Sequence, residues 1–97
     1  MTTRPPADIT RFVYDNFGPA LTLRVIGSGD GADQRLRAVA EAFDLLAEDS
    51  GLDVAHTWMT GMNPHLDDEA PIRAISARRA DEVLAAARDY AVGQNAA

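Results

Sequence analysis

The amino-acid sequence predicts a small all-α bundle of five to six short helices. Apolar residues recur at helical spacing along most of the chain, and the stretches between them are short and rich in Gly, Pro, Asn and Asp. A chain of 97 residues has room for one modest core. Helices joined by such short connections are expected to pack as one bundle.

The first helix is expected to follow the lead-in of residues 1–7, with Asp8 as its N-cap. Gly18 should end it, because glycine readily adopts the backbone conformation found after a helix C-terminus. Its apolar side chains are Ile9, Phe12, Val13 and Phe17. Pro19 suits the start of a second short helix. Residues 19–26 also alternate apolar and polar side chains as a strand does, so the sequence leaves this segment open between helix and strand.

Residues 27–31, GSGDG, form a predicted turn that permits two interpretations. Gly27, Gly29 and Ala32 match the G-x-G-x-x-A pattern of dinucleotide-binding loops, and the stretch also resembles the glycine-rich cofactor loop of methyltransferases. Either nucleotide site needs a parallel sheet behind the loop, and no second convincing strand follows residue 32. A tight turn between two helices is therefore preferred.

Residues 32–49 form the clearest predicted helix, which Gly51 should end. Its apolar stripe consists of Leu36, Val39, Ala40, Phe43, Leu46 and Ala47. The next helix is expected to be capped by Asp53 and to end before Pro64, because a residue that precedes proline avoids the α conformation. Its predicted apolar stack, at i, i+4 and i+8, consists of Val54, Trp58 and Met62.

Two further helices are predicted in the C-terminal part. Pro71 suits the first turn of a short helix, PIRAISA. In the last helix, Asp81 and Glu82 favour the N-terminal end of the helix dipole, and Gly93 should stop it. The expected core side of this helix consists of Val83, Leu84, Ala87, Tyr90 and Ala91.

Composition and charge narrow the classes of function. The chain has no Cys, which excludes disulfides and thiolate metal sites. It shows neither a signal-peptide pattern nor a membrane-spanning apolar run, so we expect a cytoplasmic protein. Residues 1–40 carry five Arg against four Asp, a net +1, whereas residues 41–97 carry four Arg against eleven acids, a net −7. The acidic half suits a basic protein partner better than it suits nucleic acid.

Five side chains of metal-binding type lie close together in the sequence, namely His56, His65, Asp67, Asp68 and Glu69. The predicted helix break separates the two His residues, so they form no i,i+4 pair of ligands on one helix. The three acids are instead expected to accept N–H groups in the first turn of the following helix. The Ser residues have no His nearby in sequence. We therefore expect no enzyme, no catalytic residue, no metal and no cofactor.

One set of residues is irregularly spaced, so helical periodicity alone does not produce it: Trp58, Asn63, Pro64, Leu66, Pro71, Ile72, Ile75, Val83 and Leu84. Their order resembles the toxin-binding domain of Xre/MbcA/ParS-type antitoxins over about residues 43–92. Many members of that family carry Gly-x-x-Pro where this chain has Asp68-Glu69-Ala70-Pro71. Residues 32–97 would then form the linking helix and the toxin-binding region, after a shortened helix-turn-helix-like part in residues 1–31.

The resemblance implies a dimeric antitoxin that binds and blocks a companion toxin, often of the NAD-consuming RES type. No segment is left for a recognition helix, so a DNA-binding regulator, the alternative function, would depend on scattered arginines: Arg11, Arg24, Arg35 and Arg37. A nucleotide-binding protein that uses Gly27–Gly31 is a further alternative. Homodimers are expected to form through the last helix, around Ala85, Ala86 and Ala87, or through the helix at residues 32–49.

The block from His56 to Ile75 is predicted to be both a structural corner and a partner-binding surface. The corner should bury Trp58, Leu66 and Ile72 around the turn made by Asn63, Pro64 and Pro71. The candidate partner-binding residues are Asp67, Asp68, Arg78, Arg79, Asp81 and Asp89. The acids among them are expected to face a basic region of the toxin.

Overall fold

The computed structural model describes residues 6–27 and 30–95, with side chains for residues 8–27 and 30–92. Every secondary-structure element in these ranges is a helix, which confirms the predicted all-α class. The α-helices are α1 (Pro6–Ile26), α2 (Ala32–Ser50), α3 (Leu52–Thr60), α4 (Pro71–Ser76) and α5 (Ala80–Asn95), with one turn of 3-10 helix at Pro64–Leu66. None of the helices within the described ranges is long and apolar enough to cross a membrane.

Helix α1 is broken at Gly18, whose φ of 84° and ψ of 172° are not helical. Glycine reaches this positive φ without the strain a side chain would add, and the helix resumes at Pro19. Residues 19–26 are therefore helix and not strand. The alternation of apolar and polar residues in this segment does not mark one buried face of a strand, because Val25 is fully buried while Leu23, two residues earlier, is 68% exposed. Asp8 lies within the first turn and not at the predicted N-cap, because α1 begins at Pro6.

Helix α2 is the centre of the bundle and packs against α1, α3, α4 and α5. Its predicted stripe is the buried side: Leu36, Val39, Ala40, Phe43 and Leu46 are buried, and Ala47 is partly so. The Phe43 ring meets the rings of Phe12 and Phe17 edge to face, at centroid distances of 5.2 and 5.9 Å. Each such pair adds about 0.5–1.5 kcal/mol beyond burial, which ties α1 to α2.

Helix α3 does not bury the stack that its sequence predicts. It ends at Thr60, so Met62 lies beyond the helix and is 82% exposed, while Trp58 is only partly buried. The fully buried side chains are Ala55 and Met59. Each lies one residue after a predicted position, so the helix is rotated by about 100° relative to the prediction. Gly51, and not Asp53, occupies the N-cap position.

The corner between α3 and α4 is built around Asn63, whose backbone is extended at φ −128° and ψ 115°, as expected before proline. Its Oδ1 accepts a hydrogen bond from the N–H of His65 at 2.9 Å, and its carbonyl accepts from the N–H groups of Leu66 and Asp68. Leu66 and Ile72 are each 1% exposed, as predicted. The turn is thus closed by hydrogen bonds and anchored by two aliphatic side chains.

Two further predicted helix boundaries, in the C-terminal part of the chain, are also wrong. The N-cap of α4 is Ala70, without a side-chain hydrogen bond, while Asp67 and Asp68 adopt left-handed backbone conformations at φ 58° and 65°. These acids therefore do not cap α4. Gly93 lies inside α5, which continues to Asn95. A single glycine costs a helix only about 1 kcal/mol, which is too little to force a stop at this position.

Candidate partner-binding groove

The glycine-rich turn between α1 and α2 is built around the guanidinium group of Arg35. This side chain is 6% exposed. Its Nε donates to the carbonyl of Val25 at 2.7 Å, Nη1 donates to the carbonyl of Asp30 at 3.1 Å, and Nη2 donates to the carbonyl of Ile26. Val25 and Ile26 end α1, where carbonyl groups lack intrahelical partners and carry partial negative charge. Arg35 therefore caps the C-terminus of α1.

The close approach of Arg35 explains the flanking glycines. Gly27 and Gly31 have φ values of 62° and 96°. A Cβ at Gly31 would lie 2.9 Å from Nη1 of Arg35, and one at Gly27 would lie 3.2 Å from Nη2. The segment before the turn is helical, so the dinucleotide-like pattern of Gly27, Gly29 and Ala32 has no strand in front of it. Gly29 itself lies outside the described residues.

The four arginines considered for DNA contacts differ in their surroundings. Arg35 is buried and so is not a surface cation, because its donors are engaged by backbone carbonyls. Arg11 and Arg37 each form an ion pair with an acid four residues away in the same helix, at 3.6 and 2.9 Å. Arg24 is exposed in the last turn of α1. Three of the four thus have oxygen partners within the chain.

A groove of about 420 Å³ lies between α3, the 3-10 turn and α5. Two aromatic side chains line it, Trp58 from α3 and Tyr90 from α5, with ring centroids 6.4 Å apart and planes inclined at 57°. Both pack against the core while remaining partly exposed. Asn63 and His65 line the groove from the 3-10 turn and the residue before it. The corner therefore contributes directly to the groove.

Helix α5 supplies the rest of the lining through Glu82, Ala85, Ala86 and Asp89. These positions recur every three to four residues and so share one face, next to the face on which Ala87 is fully buried. The two alanine methyl groups occupy little space, which leaves room between the aromatic rings and the helix. The two carboxylates make this side of the groove acidic.

Arg79 joins the corner to the first turn of α5. Its Nε lies 2.8 Å from Oε2 of Glu82, its Nη2 lies 3.2 Å from Oδ2 of Asp67, and its Nη1 donates to the carbonyl of Leu66 at 3.3 Å. The hydrogen bond with Glu82 raises the pKa of Arg79, and the same bond lowers the pKa of Glu82. Arg79 is therefore a bridge within the chain, with its charge matched by two carboxylates.

The predicted partner-binding residues do not form one surface. Asp67 and Arg79 pair with each other, whereas Asp89 lines the groove. Arg78 and Asp81 line a separate concavity of about 210 Å³, formed with the start of α2. Asp68 is exposed next to the corner. Only Asp89 of this set lines the aromatic groove.

Seven groove residues were absent from the predicted partner-binding set: Trp58 and Asn63, which were predicted as parts of the corner, and His65, Glu82, Ala85, Ala86 and Tyr90. The spacing of the four on α5 was visible in the sequence. The sequence did not show that these residues line a groove, because the groove exists only once α3 and the corner are packed against α5. Tyr90 had been assigned to the core, where it does pack.

The two His residues lie in different environments. His56 is exposed and stacks on the ring of Phe17 at a centroid distance of 5.2 Å, whereas His65 lines the groove. Across the described part of the chain, no three His, Asp or Glu side chains are arranged to hold a metal ion. What the site offers is an aromatic and acidic surface for binding.

Comparisons of the chain with protein-family models, curated proteins and solved structures found no match.

Proposed function

We propose that this chain is an antitoxin-like protein that binds a companion protein toxin and neutralises it. The observation that supports the proposal is the groove between Trp58 and Tyr90, which combines aromatic side chains with an acidic helix face. Trp and Tyr are enriched among the residues that carry most of the binding energy of protein interfaces. The protein would act by occupying a surface of the toxin and not by chemistry of its own.

The surface around the groove suits a protein partner. Val92 lies three residues after Asp89 and continues that side of α5 by one turn, and it is 65% exposed. Apolar side chains next to a charged rim match the usual composition of an interface, with an apolar centre and polar edges. The net charge of −7 over residues 41–97 favours a basic partner surface and faster encounter with it.

Co-expression with the product of the adjacent gene tests the proposal. The adjacent gene product alone should arrest growth and, for a RES-type toxin, deplete NAD. Co-expression with this chain should restore both growth and NAD, and the two proteins should co-elute from a sizing column. Persistent growth arrest together with separate elution would rule out the proposed function.

A DNA-binding regulator remains the alternative, and the same protein preparation can test it. A gel shift on the protein's own promoter, repeated over several salt concentrations, should show no specific complex if the chain binds only a protein. A nucleotide-binding role for Gly27–Gly31 predicts that NAD or S-adenosylmethionine raises the melting temperature, because a ligand of the native state must stabilise it. No thermal shift is expected.

A further inference from the structure

We infer that the groove between Trp58 and Tyr90 receives an arginine side chain of the partner protein. The inference rests on the proposed function and specifies the chemistry of the partner residue. It combines three observations: the paired aromatic rings, the carboxylate of Asp89 and the small side chains beside it.

The aromatic side chains provide the first part of an arginine site. The ring faces of Trp and Tyr carry partial negative charge and attract cations, and Trp is the strongest of the aromatic residues in this respect. A planar guanidinium group can also stack on such a ring, which the ammonium group of lysine cannot do. The groove volume of about 420 Å³ falls within the range of small-molecule pockets, about 300–1,000 Å³.

Asp89 provides the second part. Its carboxylate is exposed in the groove and has no ion-pair partner among the described residues. Glu82, the other acid of the groove, is bound to Arg79 at 2.8 Å. Arg88, the neighbour of Asp89, pairs with Glu41 of α2 instead, at 3.6 Å. Asp89 is therefore the groove carboxylate available to a guanidinium group, which it can bind through two charge-assisted hydrogen bonds.

The alanines provide the third part. Ala85 and Ala86 lie four and three residues before Asp89, on the same face of α5. Their methyl groups leave space for the aliphatic stem of an incoming arginine, whose methylene groups pack on apolar surface while its head remains polar. The groove thus offers a distinct surface to each portion of one arginine side chain.

Other occupants fit less well. An anionic ligand would be repelled by Asp89 and Glu82. A purely apolar segment would remove Asp89 from water without giving it a partner, which is unfavourable. A second copy of this chain would bring another acidic α5 against the first, so like charges would face each other.

Fluorescence titration tests the inference directly, because Trp58 is the only Trp in the chain. The probe is a short capped peptide with a single central arginine between alanines. Two matched peptides carry citrulline, which has nearly the shape of arginine without its charge, or lysine. We expect the arginine peptide to change the fluorescence saturably. The citrulline peptide should bind about fivefold to tenfold more weakly, and the lysine peptide should fall between them.

A charge variant identifies the residue responsible. Asp89→Asn should weaken binding of the arginine peptide about fivefold to tenfold and leave binding of the citrulline peptide within about twofold. Asp15→Asn removes the same charge from α1 and should leave both affinities within about twofold, which excludes a general charge effect. Circular dichroism of both variants checks that the fold is kept.

Equal binding of the arginine and citrulline peptides, or arginine binding unaffected by Asp89→Asn, would overturn the inference. The companion protein separates this result from the proposed function. If the companion binds wild type and Asp89→Asn equally well, the groove inference fails while the antitoxin proposal stands. If the arginine peptide is selected as expected but no companion is neutralised, the antitoxin proposal fails and the groove chemistry stands.

Discussion

Arg35 shows how a single buried cation can determine a connection between two helices. Replacing it by methionine keeps much of the apolar stem but removes the donors for the carbonyls of Val25, Ile26 and Asp30. Carbonyl groups left buried without donors cost about 1–3 kcal/mol each, although water can reach some of them once the side chain changes. We therefore expect Arg35→Met to lower the free energy of unfolding by about 2–4 kcal/mol in chemical denaturation.

The matched control for this prediction is Arg24→Met. Arg24 is exposed in the last turn of α1, so its replacement should change the free energy of unfolding by no more than about 0.5 kcal/mol. Similar losses in the two variants would mean that the hydrogen bonds of Arg35 contribute little to stability.

Trp58 and Met59 are neighbours with different roles. Met59 is fully buried, whereas Trp58 is partly exposed in the groove. Met59→Ala should cost about 2–5 kcal/mol, as for other buried methionines. Trp58→Ala should cost about 1–3 kcal/mol, because less of the ring leaves water on folding. Denaturation curves give both values, and the reverse order would place Trp58 in the core as the sequence had predicted.

At the scale of elements, two glycines can be compared, one at the break inside α1 and one in the turn between α1 and α2. Gly18 and Gly31 both have positive φ, but a Cβ at Gly18 would meet no described atom within 4 Å, whereas one at Gly31 would lie 2.9 Å from Arg35. Arg35 cannot move aside freely, because its guanidinium group is held by three carbonyls. Gly18→Ala should cost about 1–3 kcal/mol from the backbone alone, because its φ of 84° and ψ of 172° lie in a region that essentially only glycine adopts. Gly31→Ala should cost about 1–2 kcal/mol for its left-handed backbone, and the contact with Arg35 should add to that cost. Thermal denaturation of Gly31→Ala in the wild-type and in the Arg35→Met background separates the contact from the backbone strain, and equal losses in the two backgrounds would show that Arg35 yields easily.

The ion pair of Arg79 with Glu82, which joins the corner to α5, predicts that the free energy of unfolding depends on pH. The hydrogen bond from Arg79 lowers the pKa of Glu82, so this carboxyl should titrate below its ordinary value of 4.5. The pair stabilises the fold at pH values above that ordinary value, and its contribution is lost as the pH falls through the lowered pKa. An NMR titration of the Glu82 carboxyl should show the low midpoint. Arg79→Gln should return the midpoint towards 4.5, whereas Arg88→Gln should leave it unchanged.

The elements also show which features the sequence could predict. Helix α2 was predicted correctly because its stripe runs through about three turns, from Leu36 to Ala47, and packs against the other helices. Helix α3 has only 9 residues, and a prediction that extended it to Met62 selected the wrong face. Asp67 was expected to cap α4 because the two are adjacent in sequence. It pairs instead with Arg79, which only the folded chain brings near. The groove could not be predicted for the same reason, since it needs three elements to be placed together.

At the scale of the whole molecule, the structure restricts where two copies could meet. Helix α2 buries eight of its 19 residues and packs against the other four α-helices, so an interface through α2 would have to use its exposed residues, which are mostly acidic. Of the alanines expected to contact a second copy, Ala87 is fully buried. Ala85 and Ala86 line the groove. A dimer through α5 would therefore compete with a partner for the groove.

The acidic face of α5 predicts an unusual salt dependence for self-association. Two copies that meet through α5 bring Glu82 and Asp89 of each chain close together, and the resulting repulsion weakens as salt screens it. Sedimentation at micromolar concentration should thus show mainly monomer at low salt and more dimer at high salt. An arginine-bearing partner should show the opposite trend, because its attraction to the groove is screened instead. A dimer that is equally stable at low and high salt would place the contact on another face and leave the groove open in both states.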